Sequence, residues 1–380
     1  MYVARERPIR IPRNPRSSRS TTRQTSTAAE PRRPFSKDEW ASKTQSYPLA
    51  SIIISNYNGG ELLKESLASL LELDYPSLEV IVVDAGSIDG TPDMVRKEFP
   101  EVVLIPKETR IGIGEAINIG LERARGEIMV LDFNSDEIAT LTWLRRLVDI
   151  LHSSPQIGVV GGTRILYGTN GVIDDAGMKI HFFGHMSKIG RWREHRHYPK
   201  QPRNVDYVNC LVVRREVVDK VGPFDETYHI YGEDADYCLR ARKYGYRIVQ
   251  VPDAITYHKV SGSVGGETPR QVYFNRRAEI KVALKLYPLS KMFLALIWML
   301  FRTTVDAAML FPPFAKFVSA TPYRYLAKRN TLKHLRASLE ALGWNFARIH
   351  LTIAERFANT NPRKCPNRFS KTRDNQVRHL

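Results

Sequence analysis

Glu233, Asp234 and Asp236 fall within four consecutive positions, and His258 closes the stretch YGEDADYCLRARKYGYRIVQVPDAITYH at 231–258. Carboxylates that open a helix ordinarily compensate its dipole. A second acidic cluster, Asp132-Phe133-Asn134-Ser135-Asp136-Glu137, lies where an apolar run ends. Two such clusters at strand ends supply oxygen ligands for a hard cation and a spare carboxylate to take a proton. A histidine adds an imidazole ligand that suits Mn2+ as well as Mg2+. The combination suits chemistry on a phosphate ester.

Further candidates lie upstream. Asp84 ends an apolar run, and Asp89 follows across the turn VDAGSIDGT. A carboxylate there can accept the N–H edge of a nucleobase, though a turn with an Asp capping the next helix has the same residues. In RIGIGEAINIG, Arg110 is placed to meet a phosphate, and Gly112 and Gly114 precede a helix carrying Asn118. The spacing completes neither a dinucleotide fingerprint nor a P-loop. Trp192, in the His- and Arg-rich segment 184–199, is a candidate acceptor contact; a basic loop remote from substrate fits equally.

These residues need strand ends to hold them. Runs at 49–57, 79–86, 102–106 and 127–133 read as four buried strands, alternating with helices after Gly60, near 91, at 113–125 and at 140–151. Thr91 is expected as an N-cap with Pro92 as the first helical residue. Near-continuous apolar strands alternating with helices predict an α/β fold with a parallel sheet covered on both faces, and ligands bind beyond the carboxyl ends of such strands. The segment 157–258 reads as less regular, with a strand near 205–213 and a helix near 234–245.

The chain has 380 residues, 43% hydrophobic, and a formal charge of +17. Nine arginines against Glu6 and Glu30 in residues 1–33 mark 1–48 as a disordered basic arm, and 361–380 as a similar tail. Such arms attract polyanions, although solvated tails have the same composition. Cys210, Cys238 and Cys365 show no metal-binding spacing and read as reduced thiols of a cytosolic protein. No apolar run follows the N-terminal charges as a secretory signal would require.

Within 266–360, which reads as a helical extension, ten apolar residues run from Met292 to Phe301 before Arg302 and Asp306. Three readings fit: a helix lying in the membrane interface, favoured by flanking Lys281, Lys285, Lys291, Lys316 and Arg324; a packing helix; or a span tolerating an Arg302–Asp306 pair.

In order, VDAGSIDGT, GIGEAINIG, FNSDE, VGPFDETYHIYGEDADYCLRARKYGY and ITYH resemble the family 2 glycosyltransferases of the GT-A fold, over about 49–262 within a domain expected at 49–265, and their rhamnosyltransferase-like members in particular. The resemblance implies a Rossmann-like GT-A domain and inverting transfer of a sugar from a UDP-, dTDP- or GDP-linked donor to a hydroxyl of a glycan or polyprenyl-linked acceptor. It implies that Asp84 binds the nucleobase, Asp89 supports its pocket, and Arg110, Gly112, Asn118 and Asn134 face the donor. Asp136 and His258 would hold Mg2+ or Mn2+, with Asn134 standing where many members have Asp. Asp234 matches the base, while Glu233, Asp236 and Trp192 take acceptor or support roles. A peripheral position at the inner face of the cell membrane is expected, in cell-envelope glycan synthesis, with no nucleic-acid partner. A sugar-phosphate nucleotidyltransferase and a catalytically idle polyanion-binding or membrane-binding protein remain the alternatives, although SNYNGGELL lacks the basic residue a triphosphate needs.

Overall fold

A computed structural model of the chain describes residues 47–259, 268–313, 316 and 332–358. The expected arm and tail therefore lie outside the described residues, except for Tyr47 and Pro48, as do Arg324 and Cys365.

Four apolar segments form β1 (Ala50–Asn56), β2 (Leu78–Asp84), β3 (Val103–Pro106) and β4 (Ile128–Asn134). They pair in parallel in the order β3–β2–β1–β4. Along β1, Ile52 and Ile54 join one core and Ile53 the other, the period of two expected for a strand buried on both faces. The helices α1 (Gly60–Leu71), α2 (Thr91–Glu98) and α4 (Trp143–His152) cover one face, and α3 (Ile113–Arg123) covers the other. Gly90, in the left-handed region, caps α2 in place of the expected Thr91, whose hydroxyl instead bonds Asp89 at 2.5 Å.

Beyond β4 the sheet departs from the all-parallel expectation. β6 (Ile157–Leu166), β11 (Leu211–Arg214) and β12 (Arg247–His258) extend it in the order β12–β6–β11–β4. β11 runs antiparallel to both neighbours, whereas β12 is parallel to β6. The expected less regular segment therefore contains two of the longest strands. Short β5 (Glu137–Ala139), β7 (Ile173–Asp175) and β10 (Arg203–Asn204) attach to β12, β6 and β12, and β8 (Met178–Ile180) with β9 (Met186–Lys188) forms a separate hairpin. Cys210 and Cys238 are buried free thiols.

The helices α5 (Arg215–Val221), α6 (Glu233–Lys243) and α7 (Pro269–Leu286) lie on the α3 face, where Ala278, Val282 and Ala283 of α7 belong to the same core as Ala235 and Cys238 of α6. Contact between α6 and α7 is close: a Cβ on Gly232, at φ 92°, would come within 2.7 Å of Ala278 Cβ. Thr268 and Gln271 form a capping box at the start of α7. Then follow α8 (Leu289–Ala308), α9 (Leu332–Ala347) and α10 (Ile349–Ala358).

Charged side chains are buried where these helices meet. Asp236 bonds Arg240 Nε at 2.7 Å and pairs with Lys285 at 2.8 Å, while Lys281 and Lys285 both reach Asp225. Burial opposes ionisation of Asp225, but Lys285 and Lys281 outweigh it and hold the carboxyl well below its usual range. Breaking a buried pair strands its partner without water. Asp236→Ala is therefore expected to destabilise the fold by about 3–5 kcal/mol, read as a shift in the urea midpoint at constant slope; a midpoint that stays in place would remove Asp236 from the supporting network.

Candidate active site

On the first half of the sheet, Asp84 ends β2 with its carboxylate enclosed. It accepts from Asn56 Nδ2 at 2.8 Å, from Ser87 N at 2.8 Å and from Ser87 Oγ at 2.6 Å. Gly86, at φ 83°, lets this turn lie against the next loop, since a Cβ there would sit 2.8 Å from the carbonyl carbon of Thr109. Beside it, the guanidinium of exposed Arg110 stacks 4.0 Å from the centre of the Tyr57 ring. Asp89 is exposed and accepts from Thr91 N at 3.1 Å, so it shapes the entry to α2.

Asn118 makes internal contacts. Its amide receives the Phe224 N–H at 2.8 Å, donates to Phe224 O at 3.0 Å and to Glu226 Oε1 at 2.9 Å. A side-chain amide paired with one backbone residue in this way fixes the loop between α5 and α6. The same loop passes over the start of α3, where His229 O accepts from Ile113 N at 3.0 Å and a Cβ on Gly112 would lie 3.2 Å from the His229 backbone. It ends on Tyr231, at φ 65°, a conformation uncommon for a bulky residue and held here by its surroundings. The loop thus joins the β2–α3 side to the first turn of α6.

That first turn carries Glu233 and Asp234, and β4 brings Asp132 to them. β4 slips register against β1 between Val130 and Phe133, and Asp132 takes φ 62° at the slip. Burial and then the charge of Asp234 push the Asp132 carboxyl well above its usual range. Burial, then Asp132 and Asp234, does the same to Glu233, whose Oε2 meets no donor among the described residues. Asp234 is partly exposed and accepts from Ala235 N at 2.7 Å. Burial raises it, this N–H bond and the charge of Arg164 restrain the rise, and it titrates at about 6. Of the three carboxyls, Asp234 is the one that reaches solvent and exchanges its proton near neutrality.

Around β5 and the end of β12 lies a network in which the sequence analysis had named only the acidic cluster and His258. Arg164 donates to Asp175 Oδ2 at 2.6 Å and to Glu137 Oε1 at 3.1 Å, and Glu137 also receives Asn134 Nδ2 at 2.7 Å and Thr256 Oγ1 at 2.8 Å. Asn134 therefore orients the acidic cluster through its amide. His258 Nε2 lies 3.5 Å from Asp136 Oδ2, and its Nδ1 lies 3.0 Å from Asp174 Oδ2. Burial opposes the imidazolium, but Asp136 and Asp174 outweigh it and hold the ring's pKa at about 9. Lys188 also binds Asp174, at 2.7 Å.

Among the described residues no three His, Cys, Asp or Glu side chains form a complete metal cage. The donor set fits a half-built one. Asp136 Oδ2 and His258 Nε2 lie 3.5 Å apart as an ion pair that a cation would have to replace, and a carboxylate on the far ring nitrogen is how metal-binding histidines are oriented. The remaining positions would fall to ligand oxygens. A small cavity behind this network, lined by Glu137, Trp143, Arg164, Asp175 and Asn209, has space for about one water (≈ 10 Å³).

Trp192 stands apart from these carboxyls in the contacts it makes. It is 66% exposed, at φ 67°, with the Arg191 guanidinium 4.9 Å from its ring centre. Arg164, Asp174 and Asp175 were absent from the candidate set, and Asp132 was named only as a member of the acidic cluster. The pair Asp174-Asp175 was the available signal, but it lies in a three-residue strand that periodicity does not reveal.

Comparison with known proteins agrees with this arrangement. Residues 51–222 match the family described as Glycosyl transferase family 2, and residues 208–315 match Glycosyl transferase family group 2. The uncharacterized protein y4gI of Sinorhizobium fredii is 31% identical over 250 residues, covering 61% of this chain but only 27% of that protein. N-acetylglucosaminyl-diphospho-decaprenol L-rhamnosyltransferase of Mycobacterium tuberculosis is 28% identical over 239 residues, covering 56% and 77%. Among solved structures, the mannosyltransferase PcManGT from Pyrobaculum calidifontis, in complex with GDP-Man and Mn2+, has a TM-score of 0.52 at 20% identity, covering 81% of this chain and 92% of that one. The matched segments span the strand ends and the first turn of α6, and the chain is a family 2 glycosyltransferase with the GT-A fold.

Proposed function

We propose that this enzyme moves a deoxyhexose or hexose from a nucleoside-diphosphate sugar to a hydroxyl of a polyprenyl-linked glycan, with inversion, at the inner face of the cell membrane. The observation that carries the mechanism is Asp234. It is the one carboxyl of its cluster that reaches solvent, and its pKa of about 6 leaves it ionised at neutral pH while still basic enough to take a proton. The mycobacterial relative, named for rhamnosyl transfer to a decaprenol-linked sugar, supports the acceptor class.

Asp84, Tyr57 and Arg110 line the donor side. Three hydrogen bonds fix the Asp84 carboxylate at the end of β2, where it would meet the base, and exposed Arg110 beside it would meet a phosphate. A divalent cation, Mg2+ or Mn2+, held by Asp136 and His258, would neutralise charge on the departing nucleoside diphosphate. Asp234 takes the proton of the acceptor hydroxyl as that oxygen bonds to the anomeric carbon and the bond to the diphosphate oxygen breaks. Attack from the face opposite the leaving group inverts the centre. Burial and the neighbouring charges hold the Asp132 and Glu233 carboxyls well above their usual range, which leaves Asp234 as the carboxyl of the cluster that ionises most readily.

Two outcomes test this reading. Asp234→Asn is expected to lower turnover by about 10²–10⁴-fold while calorimetry shows unchanged donor binding. In the parent enzyme, kcat should rise with pH through an inflection near 6, because the basic form is the ionised one. Turnover that survives in a folded Asn variant, or release of pyrophosphate in place of a nucleoside diphosphate, sinks it. Separately, Asp174→Asn should weaken Mn2+-dependent donor binding by about 10–100-fold through loss of the bond that orients His258; an unchanged metal titration would exclude His258 from the cation site.

A further inference from the structure

The helix α8 is amphipathic in the reverse sense of a helix facing water. Beyond Lys291 in its first turn, its charged residues point inward: Arg302 binds Glu279 at 3.1 Å, and Asp306 receives Arg276 at 3.0 Å and Ser338 at 3.0 Å. Burial opposes the ionised Glu279, but Arg302 and His185 outweigh it and bring the carboxyl to about 2. The expected Arg302–Asp306 pair is replaced by these contacts, and among the described residues no helix is long and apolar enough to cross a membrane. Ala295 and Met299 face the protein, so the helix also packs. Leu289, Phe293, Ile297, Leu300 and Phe301, spaced at i, i+4, i+8, i+11 and i+12, all face outward, Phe293 at 59% and Ile297 at 63% exposure.

The β8–β9 hairpin continues that face. Its turn rests on α8 and on Tyr287 ahead of it, since Tyr287 Oη donates to Gly184 O at 3.1 Å and a Cβ on Gly184 would lie 2.6 Å from Ala295 Cβ. Phe183 stacks on Trp298 with ring centres 5.9 Å apart, and Phe182 beside it is 71% exposed. Cations border the patch: Lys291 in the first turn of α8 and exposed Lys179 on the hairpin. Both Lys179 and Lys291 bear on His181 at the foot of the same turn.

We infer that the outward stripe of α8 and the Phe182-Phe183 turn form one docking surface, inserted into the headgroup and acyl boundary of an anionic bilayer. Charge selects this occupant over a second copy of the chain. An apolar stripe edged by lysines meets anionic headgroups with its ammonium groups at the polar level. Two copies would bring together chains of formal charge +17 each, with the same cations face to face. The surface deepens the proposed function by saying which face meets the membrane, and it is tested without reference to catalysis.

The full chain is floated with vesicles of phosphatidylcholine, alone or mixed with phosphatidylglycerol, at low and at high salt. Basic segments outside the patch bind anionic vesicles through charge alone and release in salt, whereas buried apolar side chains persist. The parent protein is expected to remain bound to the mixed vesicles at high salt. The triple variant Phe293→Ser, Ile297→Ser, Phe301→Ser should lose at least about tenfold of that salt-resistant binding, with an unchanged melting temperature because the three side chains are exposed. Equal salt-resistant binding by the variant overturns the assignment, as does parent protein that salt releases completely. A vesicle-free dimer of the parent that the triple variant dissolves also overturns it, giving the face to a second copy. Nucleoside-diphosphate release by the same samples reports on the proposed function separately, so either idea fails on its own readout.

Discussion

Crowding of like charges at the meeting of β4 and α6 is the constraint on which the rest of this structure depends. Asp132, Glu233 and Asp234 cannot all ionise in a partly dry site, because each charge raises the energy of the next. The site resolves this by depth. The two deeply buried carboxyls are held well above their usual range, and the one nearest solvent is raised only to about 6. The first turn of α6 restrains Asp234 through the Ala235 N–H, and Arg164 supplies positive charge from the side. Arg164 is itself pinned by Asp175 and Glu137, so the side chain that tunes the proposed base also braces the acidic cluster that carries Asp136. Donor and acceptor halves are thereby tied through one guanidinium as well as through the loop that Asn118 clamps.

Such a site is locally unfavourable, and the helices after β12 bear part of that burden. α7 lies against the left-handed turn at Gly232 and sends Lys285 to Asp236, one helical position below the crowded carboxyls. Asp236 is therefore an anchor paired with Arg240 and Lys285, whereas Glu233 and Asp132 have no such cation against them among the described residues. Acids that look alike in GEDAD have different partners. The helical extension is also part of the core, since its apolar face joins that of α6.

Much of this was readable from residue order, and the remainder was not for identifiable reasons. The first four strands are continuous apolar runs bounded by turn residues, and they stand where expected. β6 was hidden because Gly161 and Gly162 interrupt its pattern, yet both are required by packing: added Cβ atoms would lie 2.6 Å from Val208 Cβ and 2.2 Å from Ala254 O. Asp234 and His258 were visible as candidates because they sit in a motif with fixed spacing. Arg164, Asp174 and Asp175 were not, because strand register alone brings them to Glu137 and His258. Asn118 shows the converse: its place in a glycine-rich segment suggested a ligand contact, but its partner is a backbone residue 106 positions later.

Hydropathy could not decide among three roles for α8 because composition does not record which way a helix faces. Orientation is set by pairing. Glu279 and Arg276 on α7 each offer a buried charge that needs an opposite, and Arg302 and Asp306 answer them from a single face of α8. Once those charges turn inward, the large apolar side chains have only the outward side to occupy. The ion pairs therefore do more than join two helices: they aim the hydrophobic stripe away from the protein. Because the same α7 packs on the turn that presents Asp234, the direction of that stripe and the placement of the proposed base are fixed to a common helix. A surface that the stripe enters would meet the catalytic domain in one orientation, which is the geometric requirement for an acceptor whose lipid anchor stays in a membrane.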